Sequence, residues 1–428
     1  MAPQNLLSDI ADWRHRSDGF RGIPSICSAH PLVIEAAMRH AAKVQSLLLI
    51  EATCNQVNQD GGYTGMTPMD FRLFVEGIAG RLNFPMESVI LGGDHLGPSP
   101  WKSLPAEEAM DKAEEMIRAY ARAGFTKLHL DTSMGCRGES VALPDALTAS
   151  RAARLAAAAE DAIANAAGAK PVYIIGTEVP IPGGAMEELE VLEVTAPEAA
   201  IKTVEIHADA FSAAGAGAAF SRVIGAVVQP GVEFGNHNVI AFKPEKAREL
   251  SASLEQLPGL VFEAHSTDYQ TRDALRELVS QGFAILKVGP GLTFALREAL
   301  YGLDQIAAFL FPELREATLA WATEAVMLEQ SHNWDKYYHG NPAEQHLLRH
   351  YSYSDRIRYY WPQERISKAV SELLDILGDQ IIPETMISQH LRGLYQGVRA
   401  GTIEPTALGL IIGSVELVLD DYFQACRA

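Results

Sequence analysis

Short apolar runs alternate with longer amphipathic segments through the first two thirds of the chain. Eight of these runs are predicted to form strands, at residues 23–28, 46–50, 89–93, 127–131, 172–176, 223–229, 260–264 and 284–288. Segments with helical periodicity separate them, including residues 31–44, 69–82, 106–123, 143–167 and 197–214. Eight strands, each followed by a helix, predict an α/β fold of the (β/α)8 barrel type. Strands in such a barrel are buried on both faces, which explains the near-continuous apolar runs.

The alternation stops at about Phe311, and further helices are predicted at residues 313–330, 368–377, 385–397 and 405–419. Residues 334–361 between them are rich in aromatic side chains and arginine. This composition fits a protein interface, and it equally fits a helical cap that packs on the barrel. Because no linker of disordered composition intervenes, we predict a barrel at residues 1–310 and a helical extension packed on it at residues 311–428.

An open α/β sheet with the same alternation is the competing fold. Such a sheet usually binds a nucleotide through a glycine-rich first turn, whereas the first turn here reads CSAHP. The chain contains no GxxxxGK[ST] motif and no GxGxxG motif after a strand. The barrel is therefore favoured, and no nucleotide cofactor is expected.

Composition narrows the class of protein further. The net charge of −19 over 428 residues disfavours binding to nucleic acid or to an anionic membrane surface. The four cysteines form no CxxC pair, so neither a disulfide framework nor a zinc knuckle is indicated. The sequence shows no signal peptide and no run of roughly 20 apolar residues. We expect a cytoplasmic protein, with homo-oligomerisation left open.

Polar residues follow nearly every predicted strand, most clearly in the segment GGDHLGP at residues 92–98. The carboxyl ends of barrel strands converge on one face, so these side chains should meet there. We predict that His95, His237 and His265 bind one divalent metal ion, with zinc as the leading candidate. Asp94 and Glu178 are the candidates for proton transfer. The remaining strand-end residues are predicted to bind substrate: Glu51, Asn55, Asp131, Ser266, Asp268 and Lys287. For each histidine alone, a hydrogen-bonded structural role is the alternative.

Six motifs resemble the GatZ/KbaZ family, whose members are subunits associated with class II tagatose-1,6-bisphosphate aldolase. They are GGDHLGP at 92–98, LDTSMG at 130–135, GTEVP at 176–180, FEAHSTDYQT at 262–271, LKVGPGLTFALREALYGL at 286–303 and HYSYSDRIRYYW at 350–361. Members are described as a non-catalytic component that supports the activity and stability of a catalytic subunit. Many also carry the label of tagatose 6-phosphate kinase, which the absence of a nucleotide-phosphate loop does not favour.

The family is similar in turn to the catalytic class II aldolases. The resemblance implies that Asp94 moves a proton, that His95 and His265 bind zinc, and that Glu178 binds metal or shuttles protons. His237 matches the remaining metal histidine only loosely, because it lies eight residues beyond Gln229. The phosphate loop after strand seven is replaced by residues 266–269, and the substrate motif after strand eight by residues 287–290. The residues that would bind a bisphosphate therefore differ from those of the catalytic aldolases.

Two functions from different classes follow. The leading hypothesis is an accessory subunit that binds a catalytic class II aldolase subunit in the breakdown of galactitol, N-acetylgalactosamine or tagatose. The alternative is a metal-dependent enzyme in its own right, a C4-epimerase or aldolase for a ketose or ketose phosphate. The tagatose 6-phosphate kinase activity ranks below both.

Overall fold

Eight parallel strands form a closed barrel in the computed structural model, which describes residues 5–177, 192–314 and 318–427. The barrel strands are β1 Ile23–Cys27, β2 Leu48–Thr53, β3 Val89–Leu96, β4 Lys127–Leu130, β5 Val172–Ile175, β6 Val223–Val228, β9 Val261–Ala264 and β10 Phe283–Val288. After β6, a two-stranded hairpin is inserted, formed by β7 Glu233–Phe234 and β8 Val239–Ile240. Each barrel strand pairs with its neighbour in parallel, and β10 closes the barrel against β1. The predicted fold class is confirmed.

Helices alternate with the barrel strands and continue after the last of them. They are α1 Ile10–Trp13, α2 Pro31–Val44, α3 Pro68–Leu82, α4 Ala106–Arg122, α5 Asp145–Ala162, α6 Pro197–Ala213, α7 Gly217–Phe220, α8 Pro244–Ala252, α9 Arg272–Ser280, α10 Pro290–Leu310, α11 Leu319–Glu329, α12 Pro342–Tyr351, α13 Glu364–Leu377, α14 Glu384–His390, α15 Tyr395–Arg399 and α16 Ala407–Ala425. The predicted helix at residues 143–167 ends earlier, at Ala162, before Asn165 and Gly168. The predicted helix at 385–397 is interrupted after His390 by a 3₁₀ turn.

The interior of the barrel is layered along its axis. Its amino-terminal end is filled by apolar side chains, and Leu7 together with α1 closes that end. This layer includes Leu7, Ile10, Trp13, Ile23, Leu49, Ile90, Val261 and Ile285. Two residues further along the strands the side chains become polar and charged: Ser25 on β1, Glu51 on β2 and Lys287 on β10. The chemistry is therefore confined to the carboxyl end of the barrel.

The last helix, α16, completes the outer layer of helices. It packs against α2, α9 and α10, the helices that follow the first, seventh and eighth barrel strands. Lys43 on α2 binds Glu416 on α16, with both carboxylate oxygens 2.7 Å from Nζ. This last helix therefore packs directly on the helices of the barrel.

The aromatic stretch at residues 334–361 contributes four large aromatic side chains to the core. Trp334, Tyr338, Tyr360 and Trp361 all belong to the main hydrophobic core. Of the two interpretations of this stretch, the structure supports a cap packed on the barrel for these residues, whereas Tyr351 is exposed.

Within the described ranges, no helix combines the length and the apolar character needed to cross a membrane.

Gly97 is expected to be essential for folding, because a Cβ at this position would lie 1.7 Å from the carbonyl oxygen of Asp131. We expect Gly97→Ala to lower the free energy of unfolding by about 2 kcal/mol or more. Gly80→Ala is the matched control, since a Cβ there meets no atom within 4 Å and the residue is exposed in α3. The control should stabilise the protein by about 0.5–1 kcal/mol. Urea unfolding measures both, and equal stability of the two variants would contradict the packing described here.

Candidate active site

A layer of ion pairs forms the floor of the site. The ammonium of Lys127 on β4 lies 2.7 Å from Glu51 Oε1 and 2.8 Å from Glu263 Oε2, and all three side chains are fully buried. Gly92 on β3 pairs in register with both Glu51 and Lys127. A Cβ at Gly92 would lie 2.7 Å from Glu51 Cγ, so the glycine lets the glutamate reach across the strand. Removal of any one of these partners would leave a buried charge without compensation.

Lys287 links this floor to the cavity above it. Its Nζ lies 2.8 Å from Asp94 Oδ1 and 3.0 Å from Glu51 Oε2. Burial would lower the pKa of Lys287, but Asp94, Cys27 and Glu51 hold it well above its usual value. The side chain therefore stays an ammonium ion and is not a nucleophilic amine. Nζ of Lys287 has no hydrogen-bond partner among the described residues, so its N–H groups remain available to a ligand.

Asp94 is held as a carboxylate at the edge of the cavity. Burial would raise its pKa, but His95, Lys287 and His129 together keep the pKa well below the usual range. Its Oδ1 lies 2.9 Å from Nδ1 of His129, while Oδ2 lies 3.7 Å from Sγ of Cys27. Oδ1 of Asp94 is therefore held by His129, whereas Oδ2 faces Cys27.

Three histidines from three strand ends lie around a common point. The ring centroids of His95, His129 and His265 are 4.9 to 5.2 Å apart. His95 has a φ of 50°, in the left-handed region that is uncommon outside glycine. Asp131 fixes its ring, with Oδ2 2.8 Å from Nδ1. A strained backbone is a frequent feature of active sites. The group of possible metal donors does not include His95, so its predicted role as a metal ligand is not supported.

The environments of these histidines differ. Burial lowers the pKa of His95, but Asp94 and Asp131 outweigh it and raise the pKa above its usual value. Burial lowers the pKa of His265 to about 3, although Glu263 Oε1 lies 2.9 Å from its Nε2. His265 is therefore neutral at pH 7, which is the form that binds metal ions. Asp131 has a pKa of about 2, because the hydrogen bond and the charge of His95 outweigh its burial.

A divalent metal ion fits the donor atoms present. Asp94, His129, Glu263 and His265 each offer one ligand atom, and these atoms lie within 4.8 Å of one another. Nε2 of His129 is buried and has no hydrogen-bond partner among the described residues. Nδ1 of His129 lies 2.9 Å from Asp94 Oδ1 and 3.1 Å from the amide nitrogen of His95, which donates to it. In the tautomer in which Nδ1 donates to Asp94 instead, Nε2 has a free lone pair, as in carboxylate-supported metal histidines. Imidazole and carboxylate ligands from separate strands suit zinc.

Most of the predicted site residues line one small cavity of about 80 Å³ at the carboxyl end of the barrel. These are Asn55, Asp94, His95, His265, Ser266, Asp268 and Lys287. Glu51 and Asp131 do not line it, because they lie beneath it as partners of Lys127 and His95. They therefore support the site and are not placed to touch substrate. Glu178 lies outside the described residues.

The prediction that His237 is a metal ligand is not supported. His237 lies in the exposed turn between β7 and β8 and is absent from the histidine group. The chain does not lead from β6 directly into a helix, since the hairpin intervenes and carries His237 to the surface. His129, two residues before the predicted Asp131, belongs to the group of possible metal donors instead.

Comparison with known proteins gives the family. Residues 7–427 match the family model GatZ/KbaZ-like, described as D-tagatose-1,6-bisphosphate aldolase subunit GatZ/KbaZ-like. The chain belongs to this family. A crystal structure of a probable tagatose 6 phosphate kinase from Sinorhizobium meliloti is 68% identical, with a TM-score of 0.89, covering 95% of this chain and all of that one. Fructuronate-tagaturonate epimerase UxaE from Cohnella laeviribosi shares the fold at 11% identity, with a TM-score of 0.50 and coverages of 98% and 83%.

Sequence reasoning missed three residues of this GatZ/KbaZ-like site that lie within strands. Lys127 and His129 share a strand face with Asp131, and Glu263 shares one with His265. Side chains two residues apart on a strand point the same way. The alternation in KLHLD was therefore an available signal for His129.

Glu233 is a further buried acid that GatZ/KbaZ-like motifs did not single out. It is 5% exposed on β7, and burial raises its pKa to about 7, partly opposed by hydrogen bonds from the Phe234 amide and Ser266. Phe234 and Ser266 both line the cavity. A carboxyl group that titrates near neutral pH beside a cavity is suited to proton transfer.

Metal analysis distinguishes the two histidine assignments. We expect the purified protein to carry about one equivalent of zinc, and His129→Ala and His265→Ala to lose it. His237→Ala is the control and should keep the metal. Inductively coupled plasma mass spectrometry measures the content. Loss of zinc in the His237 variant, with retention in the His129 variant, would restore the assignment made from sequence.

Glu233 predicts a pH dependence of stability. The folded protein holds a proton on Glu233 up to about pH 7, whereas an unfolded glutamate loses it near its usual pKa of 4.5. Stability should therefore fall as pH rises from 5 to 8, by about 3 kcal/mol for this group. Glu233→Gln should remove that loss, while Glu108→Gln, exposed on α4, should not. Urea unfolding at pH 5 and 8 tests this, and parallel profiles for wild type and Glu233→Gln would contradict it.

Proposed function

We propose that the chain is a divalent-metal-dependent enzyme that reversibly breaks the C3–C4 bond of a ketose or ketose phosphate, as a C4-epimerase or aldolase. The observation that supports this most is the buried set of metal-binding donors beneath a cavity lined by Asp94, His95 and Lys287. Such groups are costly to bury without a role. The family description, an aldolase subunit, supports the same chemistry.

The residues divide into two sets by their position. His129, Glu263 and His265 would hold the ion, and His129 and Glu263 are fully buried beneath the cavity. When bound, a divalent ion supplies Lewis-acid polarisation of a substrate oxygen. Asp94 and Lys287 line the cavity, so they are the groups that would meet substrate.

The proposed reaction begins when Asp94 accepts the proton of the C4 hydroxyl. The C3–C4 bond then breaks, C4 becomes an aldehyde carbon, and the electron pair passes to the C2 carbonyl as an enediolate. The ammonium of Lys287 and a donor nitrogen of His95 stabilise the negative oxygen. Addition of C3 to the other face of the aldehyde, with return of the proton from Asp94, gives the C4 epimer. Release of the aldehyde and protonation of C3 give aldol cleavage.

Asp94→Asn is expected to lower turnover by about 10²–10⁴-fold, because the amide cannot accept the proton. The assay follows ¹³C-labelled tagatose 6-phosphate by NMR with the purified chain and zinc. His237→Ala, changed on the exposed turn, should keep the wild-type rate. Unchanged turnover in Asp94→Asn, or no turnover in wild type, would refute the enzymatic proposal.

An accessory role is the second candidate, and exposed apolar side chains favour it. Phe309, Trp321, Leu328, Leu347 and Tyr351 are exposed on α10, α11 and α12, with Phe309 74% and Trp321 69% accessible. These helices pack beside one another, so the residues form a surface suited to a protein partner. A catalytic class II aldolase subunit would bind there.

We expect the accessory role to be sensitive to Trp321. In a mixture with a catalytic class II aldolase subunit, Trp321→Ser should abolish stimulation of cleavage because it removes the largest apolar contact. Arg365→Ser, at a surface ion pair on α13, is the control. Equal stimulation by both variants would exclude this surface.

A further inference from the structure

We propose that the cavity takes a ketose with a single anionic end group, which Arg358 binds, and that Asp268 excludes a second phosphate. This rests on the proposed function, because it names the substrate class of the same site. Arg358 comes from the region after the barrel, whereas Asp268 follows β9. Both line the cavity together with Asp94 and Lys287.

Arg358 is a cation that has no carboxylate in direct contact among the described residues. Its Nη1 donates to the carbonyl oxygens of Ser354 and Asp355, and its Nη2 lies 3.0 Å from the hydroxyl of Tyr359. Within residues 5–177, 192–314 and 318–427, it forms no ion pair with a carboxylate, and its Nε makes no hydrogen bond. The nearby carboxylate of Asp355 is held by Arg297 and Thr293, and the charges of Asp355 and Asp268 act on Arg358 without touching it.

A guanidinium that lines a cavity without a direct ion pair points to an anionic ligand. Removing a charge from water costs several kcal/mol unless an opposite charge compensates. Lys287, which also lines the wall, already forms ion pairs with Asp94 and Glu51. The planar fork of arginine matches both phosphate and carboxylate oxygens. Arg358 therefore has the chemistry to hold one such group.

Arg358 also occupies a position with space beside it. The small cavity adjoins a larger one of about 430 Å³, and the two share Cys27, Gln56, Tyr63 and Arg358 in their walls. A sugar in the small polar cavity could extend its end group toward Arg358 at this border. Burial would raise the pKa of Tyr359, but Arg358 and Arg356 lower it, which shows how positive this border is.

Asp268 fills the place where barrel enzymes often bind phosphate. The helix after the last strand frequently presents its first amides to a phosphate group. Here that helix is α10, and the amides of Gly289 and Gly291 donate to Asp268 Oδ1 at 2.9 and 2.7 Å. A carboxylate oxygen of the protein thus takes the position of a phosphate oxygen.

The loop that carries Asp268 is shaped for this contact. Ser266 and Tyr269 on either side have φ of 52° and 64°, in the left-handed region. A Cβ at Gly291 would lie 3.1 Å from Asp268 Oδ1, so the approach is close. A phosphate could bind these amides only after Asp268 had left them. One of the two phosphate groups of a bisphosphate would therefore have no binding site.

Isothermal titration calorimetry of the purified chain tests the proposal with four probes: D-tagatose, its 6-phosphate, its 1,6-bisphosphate and D-tagaturonate. We expect the 6-phosphate or tagaturonate to bind about tenfold or more tightly than tagatose. The stronger of the two identifies phosphate or carboxylate as the end group. The bisphosphate should bind no more tightly than the 6-phosphate.

Variants assign these effects to residues. Arg358→Gln should remove the gain from the end group, so that the 6-phosphate and tagaturonate bind about as weakly as tagatose, and Arg358→Lys should restore part of the gain. Arg365→Gln, at the surface pair with Glu329, is the control and should bind like wild type. Asp268→Ser should strengthen the bisphosphate relative to the 6-phosphate by about fivefold or more. Circular dichroism establishes that each variant is folded.

Three results would overturn the proposal: no preference for an anionic end group, an equal loss for all four probes in Arg358→Gln, or a wild type that prefers the bisphosphate. Binding is measured without turnover, so this proposal and the enzymatic one fail separately. An inactive protein that binds the 6-phosphate through Arg358 would refute only the reaction. An active enzyme indifferent to Arg358 would refute only the end-group site.

Discussion

The buried ion pairs inside the barrel are the constraint on which the rest of the site depends. Lys127 and Lys287 are shared among Glu51, Asp94 and Glu263, and all five side chains are almost inaccessible to water. Loss of one partner from such a group leaves an uncompensated charge, at a typical cost of about 3–5 kcal/mol. No member can therefore change without displacing the others. Gly92 belongs to the same constraint, because its missing side chain gives Glu51 its path.

These buried charges hold side chains of the same type in different protonation states. Asp94 and Glu263 are held ionised because neighbouring cations outweigh their burial, whereas Glu233, with no such cation, has a pKa near 7. His95 and His265 differ in the same way, since two carboxylates raise the pKa of the first and burial lowers that of the second.

The fold was predictable because each strand of a parallel barrel is a short apolar run, and eight such runs alternate with helices. The strand-end rule also brought Asp94, His95 and His265 together correctly. It did not find His129, which lies inside β4 and points to the site from below. His237 was misplaced because a hairpin replaces the expected loop. Arg358 reaches the cavity through the packing of the helices that follow the barrel, and no local pattern in the sequence reports that contact.

The packing of α16 has a consequence for how the molecule forms. Its ion pair with α2 joins Lys43 to Glu416, residues 373 positions apart in the chain. Loop closure over such a separation is slow, and it cannot occur on a ribosome before the last helix has emerged. Until then the seam between the first and last strands lacks its outer cover, and apolar surface on α2 is open to water. During synthesis, this seam therefore exposes apolar surface at which the chain can aggregate or bind a chaperone.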